Sequence, residues 1–128
     1  MTVESSRVVM DAYMGDGGLG VVADDAVYVD TATGQRYEGR EAIKGMLTQT
    51  YRGGLDATSE VANVIIGEDG ACVEATIVGR HTGSYGGVPA TGKEVRIPLC
   101  VTYRIADGQI VEAHVYAQMA AFLAQVGD

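Results

Sequence analysis

The segment from residue 109 to residue 118 carries the side chains best suited to acid–base chemistry. In a β-strand its alternating residues would place four polar or aromatic side chains on one face: Glu112, His114, Tyr116 and Gln118. The other face would hold small or branched apolar side chains: Val111, Ala113, Val115 and Ala117. The polar face could line a cavity, with the apolar face packed on a second copy of the chain. Alternatively, the apolar face is the core and the polar face meets water.

The run GVPATGKE, residues 87–94, has the spacing of a phosphate-binding loop without its chemistry. Glu94 stands where that loop needs a Ser or Thr hydroxyl, and its carboxylate would repel phosphates. Such a loop also leads into a helix, whereas EVRIPLCVTYRIA is rich in β-branched residues at strand-like spacing. We therefore interpret the run as a turn between two strands.

The composition excludes several classes of protein. The chain has 128 residues, 47% of them hydrophobic, which predicts one packed domain over residues 1–128. The net charge of −8 argues against nucleic acid or an anionic membrane as a partner. Neither a membrane-spanning run nor a signal peptide is evident, so we expect a cytoplasmic protein. Without a metal, nucleotide or flavin signature, we expect neither a metal nor any other cofactor.

The two cysteines fall in neighbouring strand-like runs. A hairpin that turns near Val88 would place Cys72 opposite a residue near 104, and Cys100 opposite one near 76. That register would hold the two thiols too far apart for a disulfide. We therefore expect buried free thiols.

The elements that must position these residues form a helical first half and a strand-rich second half. Helices are predicted at 4–14 and about 40–51, with a helical turn at 19–24 and a strand at 26–30. Four strands follow, TSEVANVIIG, ACVEATIVGRHTG, EVRIPLCVTYRIA and GQIVEAHVYAQ, and then a short helix in MAAFLAQVG. Asp-Gly pairs at 69–70 and 107–108 mark hairpins. This order predicts an α+β domain with helices on one face of a curved sheet.

These elements resemble the SnoaL-like polyketide cyclases of the nuclear transport factor 2-like superfamily. Four segments carry the resemblance: AVYVDTATGQRYEGREAIKGML (26–47), GRHTGSYGGVPATGKEVRIP (79–98), YRIADGQIVEAHVYAQ (103–118) and LAQVG (123–127). The resemblance implies a cystatin-like cone, in which a curved mixed or antiparallel sheet wraps the helices and encloses a deep apolar pocket. It also implies ring closure of a polyketide with one carboxylate as general acid and base.

The chain departs from this family at the position of the catalytic carboxylate. The resemblance implies an aspartate where the chain has Gln118, and an amide exchanges no proton near neutral pH. Three side chains are the candidate replacements: His114, whose imidazole would titrate near pH ~6.5, Asp30, by analogy with ketosteroid isomerases, and His81. Gln118 itself is expected to take part in the site by orienting a ligand carbonyl or a neighbouring side chain. Four side chains are expected to contact a substrate: Tyr13, Tyr28, His81 and Tyr116. Each has a plain structural alternative, such as a histidine bonded in the core or an aspartate bonded to its own turn.

Together these observations favour an enzyme of polyketide-type secondary metabolism, a cyclase or isomerase acting on a hydrophobic small molecule. Ring closure that depends mainly on folding the substrate would need the least proton transfer. The alternative is a non-catalytic protein of the same fold that binds a hydrophobic ligand. A homodimer is expected through the sheet face with Val111, Ala113 and Val115.

Overall fold

The computed structural model describes residues 2–15 and 18–127. It contains helices α1 (Val3–Met14), α2 (Arg40–Thr48) and α3 (Met119–Val126). The strands are β1 (Val22–Asp30), β2 (Gln35–Glu38), β3 (Leu55–Ile66), β4 (Gly70–His81), β5 (Glu94–Ala106) and β6 (Gln109–Ala117). The predicted α+β class is confirmed. Strand β2 was not predicted, because QRYE is short, polar and mostly exposed.

Helix α1 begins and ends where local hydrogen bonds require it. At its start the Thr2 hydroxyl accepts from the Ser5 amide at 3.0 Å, and the Ser5 hydroxyl accepts from the Thr2 amide at 2.9 Å. At its end the Gly15 amide donates to the carbonyls of Asp11 and Ala12. The buried Ser6 donates to the Glu68 carbonyl at 2.9 Å, which fixes the helix against the β3–β4 turn.

The six strands form one mixed sheet in the order β2-β1-β6-β5-β4-β3. Strands β3 to β6 are an antiparallel meander, and β1 then pairs parallel to β6 and antiparallel to β2. Register shifts interrupt the β1–β6, β3–β4 and β5–β6 pairs, and such bulges increase the bend of a sheet. The sheet therefore curves around the helices. None of the helices in the described ranges is both long and apolar enough to cross a membrane.

The predicted orientation of β6 is wrong: its small apolar side chains face the helices. Ala113, 1% exposed, pairs with Tyr28 on β1 and with Tyr103 on β5. The rings of these two tyrosines meet edge-on with their centroids 6.4 Å apart, and the small side chain of Ala113 leaves them room to make this contact. His114 and Tyr116 consequently project from the outer face of the sheet, where both are partly exposed.

The same geometry removes the predicted dimer face. Val115 faces the cavity described below, and Ala113 is buried within the chain. Val111 is the extra residue of a bulge, because Arg104 pairs with Glu112 while Ile105 pairs with Ile110. Val115 and Ala113, which were predicted to contact a second copy of the chain, therefore face the interior of one copy.

The predicted register of the cysteines is also wrong. Cys72 pairs with Thr102, and Cys100 pairs with Glu74, so the two cysteines are diagonal neighbours on β4 and β5. Their sulfur atoms lie 3.0 Å apart, within reach of each other. Both thiols are free, as expected, but they are partly exposed rather than buried.

Candidate functional site

A cavity of about 1030 Å³ lies between the inner face of the sheet and the helices. Its aliphatic wall comes from alternate residues of β4 and β5: Val73, Ala75, Ile77, Leu99 and Val101. These side chains line one surface because inward and outward residues alternate along a strand. The volume matches the upper range of pockets that hold small molecules.

Tyrosines form the aromatic part of the cavity. Six of the seven tyrosines in the chain line it: Tyr13, Tyr28, Tyr37, Tyr51, Tyr85 and Tyr103. Each presents an apolar ring and one hydroxyl group, so the wall can both pack against a hydrophobic molecule and hydrogen-bond to it.

Three of these tyrosines form a hydrogen-bonded group around the Tyr13 hydroxyl. The Tyr28 hydroxyl donates to the Tyr13 oxygen at 2.8 Å, and the Tyr103 ring meets the Tyr13 ring edge-on at 5.4 Å. Burial raises the pKa of Tyr13, whereas hydrogen bonds from Tyr28 and Tyr103 lower that pKa in part. Because its oxygen accepts the bond from Tyr28, the Tyr13 hydroxyl retains its own proton for a ligand.

The carboxylate of Asp30 lies on the same wall as Tyr28. The two residues are two positions apart on β1, so their side chains share a face about 7 Å apart along the strand. Asp30 Oδ1 also accepts from the Ala32 amide at 2.9 Å, which holds the turn after β1. Burial, and next the charge of Asp30, raises the pKa of Tyr85 to about 12.

Asp30 is the one carboxylate among the lining residues that the structure describes. The other charged lining residue, Arg52, bonds to the carbonyls of Tyr51 and Ala57 at 2.8 Å and 3.0 Å. Within residues 2–15 and 18–127, no three side chains of metal-ligating type come close enough together to hold a metal ion. The arrangement therefore offers one carboxylate and several phenol donors for chemistry inside the cavity.

A family comparison accounts for this combination of a curved sheet and a half-open cavity. The model of the SnoaL-like polyketide cyclases matches residues 8–126. The chain belongs to the SnoaL-like polyketide cyclase family. No curated protein shows significant similarity to its sequence.

Solved structures of SnoaL-like and related proteins share the fold. A candidate SnoaL-like polyketide cyclase from Jannaschia sp. CCS1 is 20% identical with a TM-score of 0.83, covering 96% of this chain and 92% of that one. A protein with a ketosteroid isomerase-like fold from Catenulispora acidiphila, in complex with trimethylamine, is 21% identical with a TM-score of 0.75, covering 93% of this chain and 92% of that one. IdmH, a candidate polyketide cyclase from Streptomyces antibioticus, is 23% identical with a TM-score of 0.70, covering 100% of both chains. At these identities the likeness establishes the fold.

The predicted placement of His114 and Tyr116 in the cavity is wrong, because the orientation of β6 turns them outward. His114 Nε2 lies 2.9 Å from Glu112 Oε2, and Glu112 Oε1 accepts from Arg104 at 2.8 Å. The hydrogen bond from Arg104 is the main reason that the pKa of Glu112 is lowered. Arg104 and Glu112 form a surface ion pair, and His114 contacts the same carboxylate on the outer face of the sheet.

Gln118, where the resemblance implied an aspartate, is also outside the cavity lining. It is exposed between β6 and α3, where its backbone N–H donates to the Pro98 carbonyl at 2.9 Å. Its two neighbours, Ala117 and Met119, do line the cavity. The backbone therefore passes the cavity at this point while the Gln118 side chain does not enter it.

His81 occupies a structural position under α3 and does not line the cavity. It is 0% exposed, its Nδ1 lies 2.9 Å from the Thr91 hydroxyl, and its ring meets Phe122 edge-on at 5.1 Å. Nε2 has no hydrogen-bond partner among the described residues. Phe122 on α3 therefore packs against the imidazole.

Sequence reasoning selected three residues that line the cavity and missed several more. Asp30, Tyr13 and Tyr28 lie where they were expected, in the wall. The missed tyrosines are Tyr37, Tyr51, Tyr85 and Tyr103. The signal that could have found them is the aromatic composition, which has seven tyrosines beside one phenylalanine and no tryptophan.

Proposed function

We propose that this chain is an enzyme of polyketide-type secondary metabolism, a cyclase or isomerase that acts on a hydrophobic small molecule inside the tyrosine-lined cavity. The observation that carries the proposal is the sharing of one wall by the Asp30 carboxylate and the Tyr13–Tyr28 hydroxyl pair. A base and a hydrogen-bond donor on one wall can act on a proton and on the carbonyl beside it.

Folding of the substrate supplies one part of the rate enhancement. A flexible chain that is bent inside a cavity of about 1030 Å³ has its reacting carbons held together. Well-oriented intramolecular reactions gain up to about 7–11 kcal/mol of the barrier in this way. The aliphatic wall of β4 and β5 would determine the bent conformation of the substrate, without taking part in proton transfer.

Proton transfer and charge stabilisation supply the other part. In the proposed mechanism Asp30 removes a proton from the carbon beside a substrate carbonyl, and Tyr13 donates its hydrogen bond to the oxygen on which negative charge develops. Tyr28 and Tyr103 are positioning residues, because their hydrogen bonds stabilise the charged form of Tyr13. Asp30 then returns the proton to the ring-closed or isomerised product.

Non-catalytic binding of a hydrophobic ligand is the second candidate function. It is favoured by the hydrogen bond between Asp30 Oδ1 and the Ala32 amide, since an aspartate that holds its own turn has a structural reason to be there. In that case the tyrosine hydroxyls would orient a ligand and no bond would change.

Turnover of linear polyketide precursors by purified variants tests the proposal. Asp30→Asn keeps an oxygen for the Ala32 amide but cannot take a proton, so kcat should fall by about 10²-fold or more with little change in ligand affinity. Tyr13→Phe should lower kcat by about 10²–10³-fold. The matched control is Tyr116→Phe on the outer face, which should leave both quantities unchanged.

Two results would decide against the proposal. Unchanged turnover in both Asp30→Asn and Tyr13→Phe would show that the assigned residues are wrong. Tight binding of the precursors by the wild type, with no product detected by mass spectrometry, would establish the binding protein instead.

A further inference from the structure

The two cysteines form a paired site on the outer face of the sheet, separate from the cavity. Cys72 on β4 and Cys100 on β5 are diagonal neighbours, and their sulfur atoms lie 3.0 Å apart. A disulfide bond is about 2.05 Å long, so the sulfurs need to approach by only about 1 Å. Both thiols are free and partly exposed, so a small reagent can reach them.

The pair of cysteines lies on the opposite face of the sheet from the proposed active site. Val73 and Val101, the residues that follow the two cysteines, pair with each other and face the cavity. Cys72 and Cys100 therefore stand behind that wall, on the opposite face of the same strands. A covalent bond between them would join the two strands that carry most of the aliphatic wall.

We propose that Cys72 and Cys100 are an oxidation site, at which a low-molecular-weight disulfide such as glutathione disulfide converts the two thiols reversibly into an intramolecular cross-strand disulfide. One cysteine thiolate attacks a sulfur of the reagent, forms a mixed disulfide and releases one glutathione thiolate. The second cysteine thiolate then attacks the protein sulfur of the mixed disulfide and releases the other. Two electrons pass from the protein thiols to the reagent, and the two protons go to the released thiolates.

The closeness of the sulfurs determines which intermediate accumulates. With the second sulfur already 3.0 Å away, the mixed disulfide is resolved within the molecule before a second reagent molecule arrives. The hydrogen bond with Cys72 is the main reason that the pKa of Cys100 is raised to about 11. Oxidation should consequently be faster in alkaline than in neutral buffer, because only the thiolate attacks.

The test is oxidation of the purified full chain with excess glutathione disulfide, followed by alkylation and intact-mass measurement. The wild type should lose two hydrogens, take up no alkylating reagent and remain a single chain. Cys100→Ser, the matched control, should stop at a mixed disulfide and gain the mass of one glutathione. Dithiothreitol should restore both proteins.

Thermal unfolding provides an independent readout. The oxidised wild type should melt about 10 °C above the reduced form, because the crosslink restricts the unfolded chain. The oxidised Cys100→Ser variant should show no such rise. The proposal is overturned if the wild type accumulates glutathione adducts, or if its only disulfide links two chains. It is also overturned if the oxidised and reduced forms melt at the same temperature.

Discussion

Raising the pH above 10 should unfold this protein through its cavity tyrosines. Burial raises the pKa of Tyr28 and of Tyr103, and it raises the pKa of Tyr85 to about 12. Below pH 10 these phenols are protonated in both the folded and the unfolded chain, so their contribution to stability is complete. Between pH 10 and the higher pKa of the folded state, only the unfolded chain releases the protons, and stability therefore falls as the pH rises.

The size of the effect follows from the number of buried phenols. Each one lowers the free energy of unfolding by about 1.4 kcal/mol per pH unit in this window, so Tyr28, Tyr85 and Tyr103 together contribute about 4 kcal/mol per unit to the limiting slope. Burial also raises the pKa of Tyr13 and of Tyr51, and these two phenols add to the slope in the same direction. From pH 10 to pH 11.5 the loss amounts to about 5 kcal/mol. Since a domain is typically stable by only about 5–15 kcal/mol, much of the stability disappears over this range.

Urea unfolding at a series of pH values measures the slope. Tyr28→Phe should reduce the slope by about 1.4 kcal/mol per pH unit, whatever it does to stability at neutral pH. Tyr116→Phe is the matched control and should leave the slope unchanged, because burial causes the effect and this side chain is 47% exposed. Equal slopes for the wild type and Tyr28→Phe would refute the reasoning, as would an equal reduction by Tyr116→Phe.

Two further predictions concern packing. Ala113→Leu should lower the free energy of unfolding by about 1–3 kcal/mol, because the larger side chain must push apart the rings of Tyr28 and Tyr103; wild-type stability by chemical denaturation would contradict the proposed fit. Gly79→Ala should lower the free energy of unfolding by more than about 3 kcal/mol, since the added methyl group would overlap the backbone of β3. Gly45→Ala in α2 has open space around the added methyl group and should raise the free energy of unfolding by about 0.5–1 kcal/mol. Melting temperatures that shift in the same direction in the two variants would contradict the close approach of Gly79 to β3.

The fold could be predicted from the sequence where the signals are local. Strands β3 to β6 have β-branched runs separated by Gly-rich turns, and those turns set the order of the meander. Strand β2 could not be found in this way, because only its pairing with β1 makes QRYE a strand. Its side chains carry no alternating pattern to detect.

The errors at the site arose from information that lies elsewhere in the chain. The two faces of β6 differ in size and polarity, but the choice between them is made by Tyr28 and Tyr103 on the neighbouring strands. The cysteine register failed for a geometric reason: a hairpin centre that is placed at Val88 instead of one residue earlier moves every partner by two positions. In the predicted register the two thiols are isolated, whereas in the observed register they are in contact.

The parallel pairing of β1 with β6 has a consequence for synthesis of the protein. The first strand leaves the ribosome early, but the strand beside which it must lie is among the last segments to be translated. The antiparallel hairpins of β3 to β5 can assemble during elongation, whereas the pairing that unites the two ends of the chain has to wait. Truncation shortly before Gln109 would therefore yield a nascent chain that can form the hairpins of β3 to β5 but cannot complete the cavity.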